Sequence, residues 1–174
     1  EVQGIEEKDI FVSEKELDEQ KEFSVKAKAI ILQRFGSVTP KAFVHTYGCQ
    51  GNVADSEHIK GMLIEMGYEM CDDVNEADFI LYNTCAIREH AEDRVFGNVG
   101  AIKKLKKEKP TLIIALCGCM MQQEHIAEKI KNSYPFVNLV FGTHVTHKLP
   151  EFVYKVLTLK KRVFCIDGSE GVIA

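Results

Sequence analysis

Leu112-Ile113-Ile114-Ala115-Leu116 is an unbroken apolar run that closes in Cys117-Gly118-Cys119. A strand with one wet face would alternate apolar and polar residues, so a continuous run reads as a strand buried on both faces. Such strands belong to parallel sheets, whose crossover helices cover both sides. The same unit recurs outward from this run. Upstream, Phe79-Ile80-Leu81-Tyr82 ends in Asn83-Thr84-Cys85, and Ala42-Phe43-Val44 leads into Tyr47-Gly48-Cys49. Tyr68 to Cys71, Asn138 to Phe141 and Val163 to Ile166 are further strand candidates.

Helical stripes fill the intervals. Ile59, Met62, Leu63 and Met66 fall at i, i+3, i+4 and i+7, with Asn52 as a candidate cap and Gly67 as a stop. Ile87, Ala91, Val95, Val99, Ile102 and Leu105 predict one long helix closed by Pro110. A helix around 124–132 follows, and Leu149, Phe152, Val153, Val156 and Leu157 mark another. This alternation predicts an α/β domain: a parallel sheet of about four to five strands wrapped by helices on both faces, flavodoxin- or Rossmann-like. Residues 1–40 carry nine acidic and six basic side chains. In them Ser13-Glu14-Lys15-Glu16 opens a helix that Gly36 ends. The expected organisation is an acidic, partly helical extension over 1–40 and the α/β domain over 41–174.

At 174 residues the chain has the length of one domain with a sufficient core. Its 45% hydrophobic and 28% charged residues exclude wholesale disorder. A net charge of −4 is not that of a compact basic nucleic-acid module. No apolar run is long enough to cross a membrane, and the polar first residues do not resemble a secretory signal. A cytoplasmic location is expected. The chain begins at Glu1 rather than Met and stops at Ala174 without a turn signal, so a piece of a longer protein is expected.

Six cysteines, at 49, 71, 85, 117, 119 and 165, need an explanation. Cys49, Cys85 and Cys119 each follow a predicted strand and precede a helix, and parallel strands place all such ends on one edge. The three thiols are therefore expected to converge. Thiolates in that arrangement suit zinc or an iron–sulfur cluster. Zinc would require a fourth ligand, for which Cys117, His45 and His90 are candidates. A [4Fe–4S] cluster on three cysteines leaves one iron open to chemistry. The plain alternative is three buried, unreactive thiols. Core packing is the expected role of Cys71 and Cys165, while Cys117, two residues before Cys119, is expected to point the other way if the strand persists.

Several motifs carry a family resemblance. Thr46-Tyr47-Gly48-Cys49-Gln50 is followed by Asn52 and Asp55-Ser56-Glu57. Asn83-Thr84-Cys85 is followed by Arg88-Glu89 and Val95-Phe96-Gly97. Gly118-Cys119 with Gln122-Gln123, Phe141-Gly142-Thr143 and His147-Lys148-Leu149-Pro150 complete the set. Together, over about 41–157, they resemble the amino-terminal domain of the radical-SAM tRNA methylthiotransferases. The branch that makes 2-methylthio-N6-isopentenyladenosine is the most similar, although Gly51 stands where that branch commonly has methionine.

The resemblance implies that Cys49, Cys85 and Cys119 hold an auxiliary [4Fe–4S] cluster that helps deliver sulfur to an adenine next to the anticodon. It further implies a second [4Fe–4S] cluster and S-adenosylmethionine on a radical-SAM domain, and a separate RNA-binding domain. The CxxxCxxC signature of the former is absent here. The chain alone is then expected to be inactive and to hold no catalytic residue. Its implied partners are tRNA carrying N6-isopentenyladenosine and the protein's own other domains, with no membrane. The competing reading is a zinc-binding or cluster-free α/β module that docks partners.

Other residues have plainer readings beside functional ones. The run Lys103, Lys104, Lys106, Lys107 and Lys109 suits either RNA phosphates or the carboxyl end of a helix. Arg88 suits a cluster of thiolates or a surface ion pair, and Gln50 and Asn83 suit hydrogen bonds to sulfur or a turn. The six histidines show no HxxxH or HExxH spacing, and no phosphate-loop, dinucleotide or hydrolase motif occurs.

Overall fold

The computed structural model describes residues 13–48, 50–85, 91–166 and 170–173. Its strands are β1 (Lys41–Thr46), β2 (Glu69–Met70), β3 (Phe79–Thr84), β4 (Ile113–Gly118), β5 (Leu139–Phe141), β6 (Arg162–Cys165) and β7 (Glu170–Ile173). Its α-helices are α1 (Glu14–Phe35), α2 (Gln50–Glu65), α3 (Ala91–Ala101), α4 (Lys103–Glu108), α5 (Glu124–Ser133) and α6 (Leu149–Leu159). The strands form one sheet in the order β2-β1-β3-β4-β5-β6-β7. Every neighbouring pair from β2 to β6 is parallel, and β7 alone runs antiparallel, against β6. The α/β class and helices on both faces are as expected. The sheet has seven strands rather than four to five: each of the six strand candidates pairs into it, and β7, which lies beyond the last apolar stripe, adds a seventh.

Side chains alternate across the sheet. Phe79, Leu81, Ile113, Ala115, Leu139 and Phe141 face α2 and α6, with Ala27 and Ile31 of α1 completing that layer. Ile80, Tyr82, Ile114, Leu116 and Val140 face α3 and α5. β3 and β4 are buried along their whole length, which explains their unbroken apolar character. The long helix expected up to Leu105 is two helices, with a break at Ile102, whose side chain packs into the core.

Helix α1 starts as its sequence implies, with the Ser13 side chain accepting from the Glu16 N–H at 3.1 Å. It packs along α6 through a reciprocal clamp. Gln20 Nε2 donates to Glu151 Oε1 at 3.2 Å, and the Glu151 N–H donates to Gln20 Oε1 at 3.1 Å. Glu151 lies in the first turn of α6, where backbone N–H groups have no partner inside the helix. Gln20 therefore caps a helix from across an interface. Gln20→Ala is expected to cost about 1–2 kcal/mol, read as a lower urea midpoint with an unchanged m-value. An unshifted midpoint would show that the clamp does not hold α1.

Candidate metal centre at the carboxyl edge of the sheet

The strand order 2-1-3-4-5 has a topological switch point. The chain leaves β1 towards β2 on one side and returns to β3 on the other, so the connections after β1 and β3 diverge and open a crevice at their carboxyl ends. Gly48 ends the β1 connection, and Cys85 directly follows β3. Cys119 directly follows β4, the next strand along.

Two glycines bring these ends into contact. Gly48 has φ of +99°, and a Cβ there would overlap Cys85 Cβ and lie 2.9 Å from its Sγ. Gly118 has φ of +106° and ψ of 177°, a conformation that is essentially glycine-only. A Cβ at Gly118 would overlap the Thr84 carbonyl oxygen and lie 2.7 Å from Thr84 N. The backbone before Cys49 thus presses on Cys85, and the backbone before Cys119 presses on the residue before Cys85. Cys119 Sγ stands 4.0 Å from the Thr84 carbonyl oxygen. The Cys85 thiol is buried and that of Cys119 is half-buried.

A closed set of hydrogen bonds underlies the edge. Asn52 Nδ2 donates to Asn83 Oδ1 at 3.2 Å and to the Thr84 carbonyl at 2.7 Å. Asn83 Nδ2 donates to the Asn52 carbonyl at 2.9 Å and to Ser56 Oγ at 3.0 Å. Ser56 Oγ and Thr46 Oγ1 pair at 2.6 Å, and Thr84 Oγ1 donates to the Cys117 carbonyl at 2.7 Å. Asn52 is therefore not the cap its sequence position suggested. It lies within α2, and its side chain reaches across to β3. Both amide hydrogens of Asn83 are engaged by oxygen, so none remains for sulfur.

The other candidates separate clearly. Cys117 is fully buried among the apolar side chains facing α2 and α6. Burial, with the nearby Asp55 charge second, pushes its thiol far above the ordinary range. Its side chain thus has the surroundings of a core residue. Cys165 packs in the same layer. Cys71 is half-buried, and its thiol donates to the Asp73 carbonyl at 3.4 Å. His45 is exposed on β1, edge-on to Tyr47 and Tyr82 at ring-centroid distances of 4.6 and 6.1 Å. Partial burial and then the Arg94 charge lower its pKa, which favours neutral imidazole. Cys49, Arg88, Glu89 and His90 lie outside the described residues, as does the side chain of Gln50. Among the described residues, which do not include Cys49, no group of three or more His, Cys, Asp or Glu is set to hold a metal ion.

The basic run lies at the opposite edge. Lys106 Nζ donates to the Leu112 carbonyl and, at 3.2 Å, to Asn138 Oδ1. Lys109 Nζ donates to the Ala77 carbonyl at 3.2 Å. These bonds join α4 to the amino ends of β3, β4 and β5. Sequence spacing carries no sign of them, because their partners, two backbone carbonyls and the Asn138 side chain, are brought close only by the fold.

A buried and a half-buried thiol, at strand ends drawn together by two glycines beside the switch point of a flavodoxin-ordered sheet, define the class: an α/β domain with a thiol-bearing carboxyl edge. Residues 41–142 match the model of Uncharacterized protein family UPF0004, and the chain belongs to that family. It is similar to proteins named tRNA-2-methylthio-N(6)-dimethylallyladenosine synthase. The one from Acetivibrio thermocellus is 43% identical over 169 residues, 96% of this chain and 35% of the relative. Those from Caldicellulosiruptor saccharolyticus and Clostridium tetani are 52% and 55% identical, over 74% and 75% of this chain and 27% and 29% of the relatives. The chain thus spans about a third of the length of the curated relatives it matches. No helix among the described residues is long and apolar enough to cross a membrane.

Proposed function

We propose that this chain is the auxiliary-cluster domain of a tRNA methylthiotransferase, in which Cys49, Cys85 and Cys119 hold a [4Fe–4S] cluster. The observation that carries this reading is the pair of glycine contacts, which hold the backbone preceding two of the cysteines against the third cysteine and its neighbour. A bulky inorganic group on three thiolates needs close backbone approach and a dry floor, and the edge supplies both. The relatives' names give the product, a 2-methylthio-N(6)-dimethylallyladenosine of tRNA, and on this reading the whole enzyme methylthiolates position 2 of N6-isopentenyladenosine next to the anticodon, as the sequence resemblance implies. On this reading the whole enzyme is cytoplasmic. Its radical-SAM domain carries the second [4Fe–4S] cluster and S-adenosylmethionine, a further domain binds RNA, and this chain alone does not turn over.

Anaerobic reconstitution with iron and sulfide tests the proposal. The chain is expected to take up about four irons and to gain sulfide-to-iron absorption in the visible. Zinc uptake without iron would replace the cluster reading with a structural-metal one. Uptake of neither would remove the metal centre altogether.

A further inference from the structure

The amide network beneath the thiols assigns a role to a residue that carries no sulfur. Asn52 lies in the first turn of α2, three residues after Cys49. Its one NH2 group serves two acceptors on β3: the side chain of Asn83 and the main-chain carbonyl of Thr84. Its own carbonyl accepts from Asn83, so the two residues grip each other reciprocally. A side-chain amide has two donor hydrogens, and both are engaged in each residue. The residues are also buried: Asn52 is 5% exposed, Asn83 1% and Thr84 0%.

The Thr84 carbonyl is the point where the three connections meet. Asn52 binds it from α2, Gly118 is packed against it from β4, and Cys119 Sγ stands 4.0 Å away. The peptide unit carrying that carbonyl also carries the nitrogen of Cys85. Apolar clusters cover both faces of the sheet without help from these amides, so the fold has its core independently. A buried polar network adds direction, which apolar packing lacks.

We propose that Asn52 is a positioning residue of the thiol edge. Its side-chain amide holds the Thr84 carbonyl and so sets the spacing between the connection after β1 and those carrying Cys85 and Cys119. The proposal rests on the reading of that edge as a metal centre, and it names the device that keeps the centre assembled.

The test compares Asn52→Asp with Ser56→Ala in this chain. The first variant keeps the shape of the side chain and removes both donors. The second unpairs one hydrogen of Asn83 and leaves the Thr84 contact intact. Each is loaded anaerobically with iron and sulfide, and separately with cadmium ion, a soft probe for thiolates whether or not iron is native. Release to a chelator, the electron-paramagnetic-resonance spectrum of the reduced cluster and the unfolding midpoint are then measured.

Asn52→Asp is expected to release either metal at least tenfold faster than wild type and to change the cluster spectrum. Ser56→Ala should stay within twofold of wild type in release, although its midpoint falls as well. If release in both variants simply follows their loss of stability, or if Asn52→Asp releases metal like wild type, Asn52 is only part of the fold. Should Asn52→Asp fail to fold, Asn52→Ser is scored the same way. Wild type that binds cadmium but no iron would sink the cluster reading while the cadmium release rates still judge Asn52. Wild type that binds neither overturns both.

Discussion

Cys85→Ala and Cys119→Ala should each drop the iron taken up on anaerobic reconstitution from about four per chain to near zero. Cys49→Ala should do the same, while Cys71→Ala and Cys165→Ala should retain full loading. The expectation follows from chemistry and placement together. A cluster ligand must be a thiolate that can reach the metal, and Cys85 and Cys119 leave the neighbouring strands β3 and β4, whereas Cys71 follows the outlying β2 and Cys165 is buried at the end of β6, two strands beyond β4. Cys117 is the discriminating control, because it is two residues from Cys119 and yet buried among apolar side chains. Its replacement should leave iron content unchanged and lower only the unfolding midpoint. Iron and acid-labile sulfide assays on the six variants decide the matter. Full loading in the Cys85 and Cys119 variants would refute the ligand assignment.

Gly118→Ala is expected to have the largest effect of any glycine-to-alanine change among the described residues. Two costs coincide there. The backbone adopts φ of +106° with ψ of 177°, where a side chain adds about 1–3 kcal/mol of strain. The new Cβ would also overlap the Thr84 carbonyl oxygen, a main-chain atom held in place by Asn52. Relief requires β4 and β3 to separate at their ends, where Thr84 is paired with Gly118. A loss of roughly 3 kcal/mol or more is expected, a large part of the ~5–15 kcal/mol that stabilises a typical domain. Denaturant unfolding measures it. A midpoint within error of wild type would mean that the strand ends are not held as described.

Where the physics is local, the sequence was enough to read the fold. The run at Leu112–Leu116 and the run at Phe79–Tyr82 are apolar throughout because both faces of their strands are covered, and that covering is what identifies a parallel sheet. Ser13 and Gly36 delimit α1 by chemistry confined to a few residues. What escaped reading depends on partners distant in sequence. Strand β7 has no apolar alternation in Glu170-Gly171-Val172-Ile173 and exists by pairing with β6. The break at Ile102 interrupts no apolar stripe, so periodicity passed over it.

At the candidate site, strand-end placement brought Cys85 and Cys119 to one edge on paper, and the contacts of Gly48 and Gly118 gave that edge its geometry. An asparagine ahead of an apolar stripe looks like a helix cap, whereas Asn52 sits inside α2 and reaches across to β3. Its actual partners lie 31 and 32 residues away. No local pattern encodes such a bond, because Asn52 and Ser56 lie on α2 while Asn83 and Thr84 end β3.

The clamp between Gln20 and Glu151 joins residues 131 apart. During synthesis, at roughly 5–20 residues per second, α1 emerges on the order of 10 s before the helix it docks against. For that interval Ala27 and Ile31, fully buried in the finished molecule, lack the α6 side of their final packing. The docking of α1 on α6 therefore waits until α6 has been made. Its charged flanks, with Glu14, Glu16, Asp18, Glu19 and Glu22 on the early turns, keep the waiting segment hydrated and self-repelling in the nascent chain.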